Sequence, residues 1–342
     1  MSVANTSQLL IKNLDLLKAQ TPLFINISAD LFVEEYQAAY PDAQLSFYNH
    51  HYGEYLAHQK KQHDVQFSHQ YTANKQHDVV VILFPKSKAE LAYTLAMLND
   101  VVTNETLIYF VGEKNSGVKS VEKLAKGFLQ HCQKDDAARH CMLFSGCYIN
   151  QTQPFNLDDW YKSYPVNVHD KTINVFALPG VFSQEKLDVG TRVLLEFLPD
   201  YSDASVLDFG CGAGVIAAYI ASKDKNVTLS LADVSALALA SAKKTLSQLN
   251  IKANFIATDS MSNITNAFDH VISNPPFHQG LKTHYQATES FLDNIVNHIN
   301  KHGSLTIVAN SFLKYQPIMG KRFNSVKQLI KANGFTVYSA KR

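Results

Sequence analysis

Glycine is nearly missing from the first third of the chain: Gly53 is the single one before Gly112. A loop whose backbone approaches a ligand closely needs residues without a Cβ, so this stretch cannot carry a glycine-rich cofactor cradle. Cysteine is also scarce. Cys132, Cys141, Cys147 and Cys211 show no CxxC spacing, which points to reduced, mostly buried thiols rather than disulfides or a zinc site. No stretch approaches eighteen consecutive apolar residues, and the opening MSVANTSQLLIKNLDLLKAQ lacks the charged, apolar, small-residue order of a signal peptide. These absences predict a cytoplasmic protein with no membrane span.

An excess of one charge sign is absent too. Thirty-one Lys and Arg stand against thirty Asp and Glu, a formal charge of +1, too little to hold nucleic acid by charge alone, because that needs many phosphate contacts. The distribution is uneven. Residues 1–165 carry 14 basic and 17 acidic side chains, a balance of −3; residues 166–342 carry 17 and 13, a balance of +4. From Lys314 to Arg342 seven basic residues (Lys314, Lys321, Arg322, Lys327, Lys331, Lys341 and Arg342) meet no acidic one, a pattern that fits either a solvated helix face or a polyanion contact. The histidines at 50, 51, 58, 63, 69 and 77 are irregularly spaced, and no metal site is expected.

What is present is a repeating α/β rhythm. At 342 residues and 46% hydrophobic content the chain has room for two domains with a core each. In the second half, strands are expected at 205–210, 227–233, 253–258, 270–274, 304–310 and 335–340. Helices are expected at 213–223, 235–250 with Ser235 as N-cap, and 287–301, with Gly303 and Gly334 at helix exits. The first half repeats the rhythm more weakly, with strands at 22–27, 77–84, 105–111 and 140–146. Two related α/β domains, 1–165 and 166–342, joined through the Pro- and Asn-rich segment 150–171, account for the pattern.

The second half also holds chemistry. VLDFGCGAG (206–214) runs from a strand through glycines into a helix. Its spacing is GxGxG, with Val215 where a dinucleotide fingerprint needs a third, later glycine. The order D-x-G-x-G-x-G resembles the first motif of class I methyltransferases. That resemblance implies S-adenosylmethionine as cofactor, held by Asp208, Gly210, Gly212 and Gly214, with Asp233 on the ribose hydroxyls and Asp259 near the adenine amine. No further cofactor and no metal are implied.

The fourth strand then ends in NPPFH (274–278), where two prolines stop the ladder. An aromatic exocyclic amine is a poor nucleophile because its lone pair is delocalised into the ring, and the nitrogen must lose planarity before it attacks. The Asn274 side-chain oxygen and the Pro275 carbonyl can accept from such an amine, Phe277 can stack on a base, and His278 fits a pocket wall. A paired amine is out of reach, so the substrate is an unpaired or flipped nucleotide.

Across nearly its whole length the chain resembles the ribosomal RNA small subunit methyltransferase C family. FPKSKAE (84–90), VGEKNSGVKS (111–120), LPGVFSQEKLDVGT (178–191), VLDFGCGAGV, LADVSA, ISNPPFH and IVANSFLKY carry the likeness. It implies two tandem class I (Rossmann-like) methyltransferase domains, the N-terminal one degenerate and the C-terminal one catalytic. It implies methylation of the N2 amine of guanine 1207 in 16S rRNA within the assembled 30S subunit, by a monomer. It also implies that Phe182 and Asp188 lie near the pocket, with Lys314, Lys321 and Arg322 as substrate contacts. Methylation of adenine N6 or of a release-factor glutamine keeps the same chemistry, although those motifs usually carry tyrosine in place of Phe277. A noncatalytic RNA-binding assembly factor is the alternative of another class.

Overall fold

The computed structural model describes residues 3–224, 226–275 and 289–342; Phe277 and His278 lie outside them. The chain divides into two compact units, Met1–Trp160 and Tyr161–Arg342. A join at 165 would cut the strand that opens the second unit, because Lys162–Val168 pairs with Lys171–Ala177 in a hairpin.

In the first unit the strands are β1 (Leu23–Ile25), β2 (Ser46–Tyr48), β3 (Val65–Gln66), β4 (His77–Leu83), β5 (Val102–Glu113), β6 (Leu129–Ala138) and β7 (Cys141–Tyr148). They form one sheet in the order β3-β2-β1-β4-β5-β7-β6. Its helices are α1 (Asn5–Lys12), α2 (Leu31–Ala39), α3 (Tyr52–Lys60), α4 (Lys88–Met97) and α5 (Val121–Leu124). Phe24, Val79, Val81, Val111 and Leu143 from the strands pack with Leu9, Leu10, Phe32 and Tyr36 from the helices in a single core.

The second unit opens with β8 (Lys162–Val168) and β9 (Lys171–Ala177), followed by β10 (Ser205–Phe209), β11 (Thr228–Asp233), β12 (Asn254–Ala257), β13 (Phe268–Ser273), β14 (Ile299–Asn310), β15 (Ser325–Ala332) and β16 (Phe335–Lys341). Its sheet runs β12-β11-β10-β13-β14-β16-β15, the same order as the first. In each, five parallel strands end in an antiparallel pair. Helices α6 (Val189–Glu196), α7 (Val215–Lys223), α8 (Ala236–Gln248), α9 (289–295) and α10 (Tyr315–Met319) flank it. Ser235 caps α8 by accepting from Ala238 N–H at 3.3 Å. The hairpin β8–β9 is tied to α8, since Phe176 N–H donates to Thr245 Oγ1 and Leu178 N–H to Ser241 Oγ, each at 3.0 Å.

Three local expectations change. The helix expected through 301 gives way to β14 at Ile299. Gly303 lies inside that strand rather than at a helix exit: Phe268 pairs with Ile299 while His270 pairs with Ser304, so β14 loops out between. A Cβ at Gly303 would sit 2.6 Å from the Asp269 carbonyl oxygen. Gly334 is likewise no helix exit. Asn333 (φ 52°) and Gly334 (φ 81°) form the two-residue turn between β15 and β16, the left-handed pair that a type I′ hairpin demands. Of the basic stretch, Lys327 and Lys331 are exposed on the edge strand β15, whereas Lys314, Lys321 and Arg322 flank the short helix α10.

The close approach at Gly303 involves backbone, which cannot yield as a side-chain tip does. Gly303→Ala is expected to destabilise the β13–β14 pairing by about 2 kcal/mol. Hydrogen–deuterium exchange of the β13 and β14 amides should accelerate by roughly thirty-fold, while the first unit's amides exchange unchanged. Unaltered protection of β13 would show that the strand absorbs the methyl group.

Candidate active site

Parallel strands deliver their carboxyl ends to one sheet edge, and the register states which residues meet there. Phe209 is level with Ala232 on one side and Ser273 on the other, so Gly210, Asp233 and Asn274 leave three adjacent strands at the same height. Neighbouring strands lie about 4.8 Å apart. Asp233 is in turn level with Ala257, which places Thr258 and Asp259 next along the edge. The strand order reverses between β10 and β13: β11 and β12 lie to one side of β10, and β13 and β14 to the other. Such a reversal opens a crevice at the carboxyl ends, where open α/β sheets bind ligands.

The loop from β10 to α7 needs its glycines. Gly210, Gly212 and Gly214 have φ of 70°, 51° and 76°, in the left-handed region that a side chain strains. Their surroundings differ. A Cβ at Gly210 or Gly212 would meet nothing within 4 Å, whereas one at Gly214 would lie 3.0 Å from the Ala242 and Leu246 side chains. The first two line open space, and the third lets α7 approach α8.

The three acids have distinct surroundings. Asp233 holds the loop: its Oδ2 accepts from Gly212 N–H and its Oδ1 from Ser235 N–H, each at 2.9 Å. Asp259 is exposed at the end of β12. Asp208 is fully buried. Its Oδ2 accepts from Ala217 N–H at 3.1 Å, in the first turn of α7, and its Oδ1 has no hydrogen-bond partner among the described residues. Burial, reinforced by the charge of Asp233, pushes its carboxyl up to about 7. Asp208 thus supports the loop from beneath. The Cys211 thiol beside it is buried and raised well above the usual thiol range by that burial, which removes it as a nucleophile.

Across the crevice stands Asn274. Its Nδ2 donates to Asp188 Oδ2 at 3.1 Å and to Thr191 Oγ1 at 2.8 Å. Asp188 is also the N-cap of α6, its Oδ2 accepting from Thr191 N–H at 2.9 Å. Pro275 is buried. Phe182 is 56% exposed in the segment before α6. Thr191 escaped notice in the sequence, where it stands only as the last letter of LDVGT.

The remaining expected substrate contacts lie beyond β14. Lys314 precedes α10 and Lys321 follows it, both exposed. Arg322 is committed to the protein itself, paired with Asp293 and donating to the Ile318 carbonyl at 3.2 Å. Phe312 near the end of β14 is 68% exposed, the most exposed of the large apolar side chains described.

The corresponding edge of the first unit is built differently. After β1 the backbone turns at Asn26 (φ 56°) without a glycine, and His58 hydrogen-bonds the Ile27 carbonyl at 2.8 Å. Tyr48, Asn49 and His58 are fully buried there. The histidines have local partners: His50 meets Glu90 Oε1, and His77 the Thr21 carbonyl, both at 2.8 Å. Among the described residues no His, Cys, Asp and Glu group could hold a metal ion, and no helix is long and apolar enough to cross a membrane.

The family model for the methyltransferase small domain matches residues 172–339, and the model for its N-terminal companion matches 7–164. A ribosomal RNA small subunit methyltransferase C of Colwellia psychrerythraea is 46% identical over 99% of this chain and 98% of its own. One of Pseudoalteromonas translucida is 40% identical over 99% and 100%. The chain belongs to the ribosomal RNA small subunit methyltransferase C family. A solved structure of the T. thermophilus 16S rRNA N2 G1207 methyltransferase, in complex with AdoMet and guanosine, superposes with a TM-score of 0.83 at 19% identity, covering 99% of this chain and 92% of that one. The tandem class I α/β fold is therefore that of the family, and the site residues fall in its methyltransferase small domain.

Asp208 gives a test of the loop's electrostatics. Its folded-state carboxyl near 7 lies above the unfolded value of about 3.9, so its contribution to stability is complete below about pH 4 and is lost as pH rises through about 7. Asp208→Asn keeps an acceptor for Ala217 N–H and removes the titration. Between pH 4 and pH 8, without added ligand, the wild type should lose on the order of 3 kcal/mol relative to the variant. Thermal denaturation followed by circular dichroism measures this; parallel pH profiles would contradict the assignment.

Proposed function

We propose that this chain transfers a methyl group from S-adenosylmethionine to the exocyclic N2 amine of a guanine in 16S rRNA, guanine 1207 by its likeness to the T. thermophilus enzyme, with the assembled small subunit as substrate in the cytoplasm. The observation that carries the reading is Asn274, fixed by Asp188 and Thr191 at the strand end beside the glycine loop.

The loop fits the cofactor. Gly210 and Gly212 leave open the space a Cβ would fill, and Asp233 stands half-buried at the end of β11. These residues would hold the methionine and ribose portions, and Asp259 would face the adenine. When bound, S-adenosylmethionine supplies a methyl group on a sulfonium that departs as a neutral thioether. Asn274 Oδ1 and the Pro275 carbonyl accept from the two N–H bonds of the amine, drawing its lone pair out of conjugation and toward the methyl group. The extra proton on the nitrogen is shed after transfer. Alignment therefore does most of the catalysis and no strong general base is required. Phe277, outside the described residues, would stack on the base, with Phe182 covering the pocket.

The first domain is read as a degenerate copy that supports folding or docks RNA. Its first strand has no glycine loop, and FPKSK stands where the second domain has NPPFH. Lys86, Lys88, Lys114 and Lys119 are exposed on it and available to phosphates. In the second domain the RNA would meet Lys314, Lys321, Lys327 and Lys331, all exposed.

Asn274→Ala is expected to abolish methyl transfer and to leave S-adenosylmethionine affinity within about two-fold, measured by transfer of a labelled methyl group and by calorimetry. Retained turnover would remove Asn274 from its role. Mass spectrometry of small-subunit rRNA from cells with and without the protein identifies the nucleotide, and an unmodified guanine pattern in both would overturn the substrate.

Lysines on an edge strand also block unwanted strand pairing, so their charge needs its own test. Replacing Lys321, Lys327 and Lys331 together by Gln should weaken RNA binding and lower the slope of log affinity against log salt by about 2 to 3. An unchanged slope would leave edge protection as the role of Lys327 and Lys331.

A further inference from the structure

The carboxylate of Asp188 has no hydrogen to give, and that settles which end of Asn274 faces it. Asp188 Oδ2 lies 3.1 Å from Nδ2 of Asn274; an amide oxygen in that place would set two acceptors against each other. The Thr191 hydroxyl donates to the same Oδ2 at 3.3 Å, which leaves its own lone pairs to accept from Asn274 Nδ2 at 2.8 Å. Nδ2 therefore has two acceptors on the α6 side, and Oδ1 is turned the other way. An amide without such partners presents oxygen or NH2 with little preference, since the two ends have nearly the same shape.

Neighbouring residues keep this arrangement tight. Thr191 is buried, and Gly190 allows the carboxylate its place: a Cβ there would lie 3.1 Å from Asp188 Oδ2 and 2.8 Å from the Phe335 ring. Each letter of the D-V-G-T run except Val189, which is exposed, thus has a function at the site.

We propose that Asp188 and Thr191 are positioning residues that lock the Asn274 amide with its oxygen outward, so that it can accept from an amine and cannot donate to it. The proposal rests on the reading of Asn274 as an amine acceptor. Asp188 acts through Asn274 and the α6 cap, in place of the direct substrate contact expected of it. An inverted amide would set an N–H against the N–H of the substrate and leave the nucleophilic lone pair conjugated with the ring.

Thr191 separates this role from packing, because its two branches can be removed one at a time. Thr191→Val keeps the volume and deletes the hydroxyl; kcat should fall about tenfold, with KM for RNA, S-adenosylmethionine affinity and melting temperature nearly unchanged. Thr191→Ser deletes the methyl group and restores the hydroxyl, and it should return kcat to within about three-fold of wild type. Asp188→Asn, which still caps α6, removes the charge that dictates the orientation and should lower kcat at least tenfold. A buried packing role predicts the opposite ranking of Val and Ser. The proposal is overturned if Thr191→Val turns over like wild type, if Ser is as impaired as Val, or if the losses appear in KM or cofactor affinity. Asn274→Ala is assayed alongside: turnover there removes the acceptor reading itself, whereas an inactive Asn274→Ala beside a fully active Thr191→Val removes only the positioning role.

Discussion

One carboxylate oxygen joins the beginning of a helix to the end of a strand. Asp188 Oδ2 accepts from the backbone and hydroxyl of Thr191 and from Asn274, 86 residues away in sequence. The helix-capping bond fixes the carboxylate, and the carboxylate fixes the amide. An ionised acceptor makes stronger hydrogen bonds than a neutral one, so the orientation of Asn274 is set before any ligand arrives. Preorganisation of this kind suits a reaction whose difficulty is aiming a lone pair.

That interaction matters only because the sheet brings its partners together. Five parallel strands present their carboxyl ends along one edge, and the reversal of order at β10 and β13 leaves room above them. The first domain has the same strand order and a different edge. There the chain turns without glycine at Asn26, and the backbone of Ile27 is taken by His58. Tyr48, Asn49 and His58 are buried where the second domain keeps Gly210 and Gly212 open. Two copies of one topology thus differ in whether the edge is occupied by the protein's own side chains or left for a ligand.

Most of the strands read from the sequence have buried faces, the short β1 among them; β12, an edge strand, is legible without one. β4, β5, β7, β10, β11, β13, β14 and β16 are rich in β-branched and aromatic residues because both of their neighbours and at least one face are covered. β2 and β3 are three and two residues long, too short to show a period. β6 and β15 are edge strands, exposed at half or more of their positions, and their polar sequences read as loop or helix surface. β8 carries Pro165, which a two-stranded hairpin tolerates. The Asn-Gly pair at Gly334 is a strong hairpin signal that outweighs a helix exit; Gly303 has no local signal at all, since its need for a missing Cβ comes from the carbonyl of Asp269 on a neighbouring strand.

From sequence alone came the paired α/β domains, the glycine turn with Asp208, Asp233 and Asp259 at successive strand ends, and the amide-proline break at Asn274, because each depends on residues close along the chain. Tertiary structure decided the work of each group. It buried Asp208 beneath the loop rather than opening it to a ligand, withdrew Arg322 into a pair with Asp293, and set Asp188 and Thr191 against Asn274. Those outcomes depend on which atoms meet across strands and helices distant in sequence, and hydrogen-bond direction and burial exist only once the chain has folded.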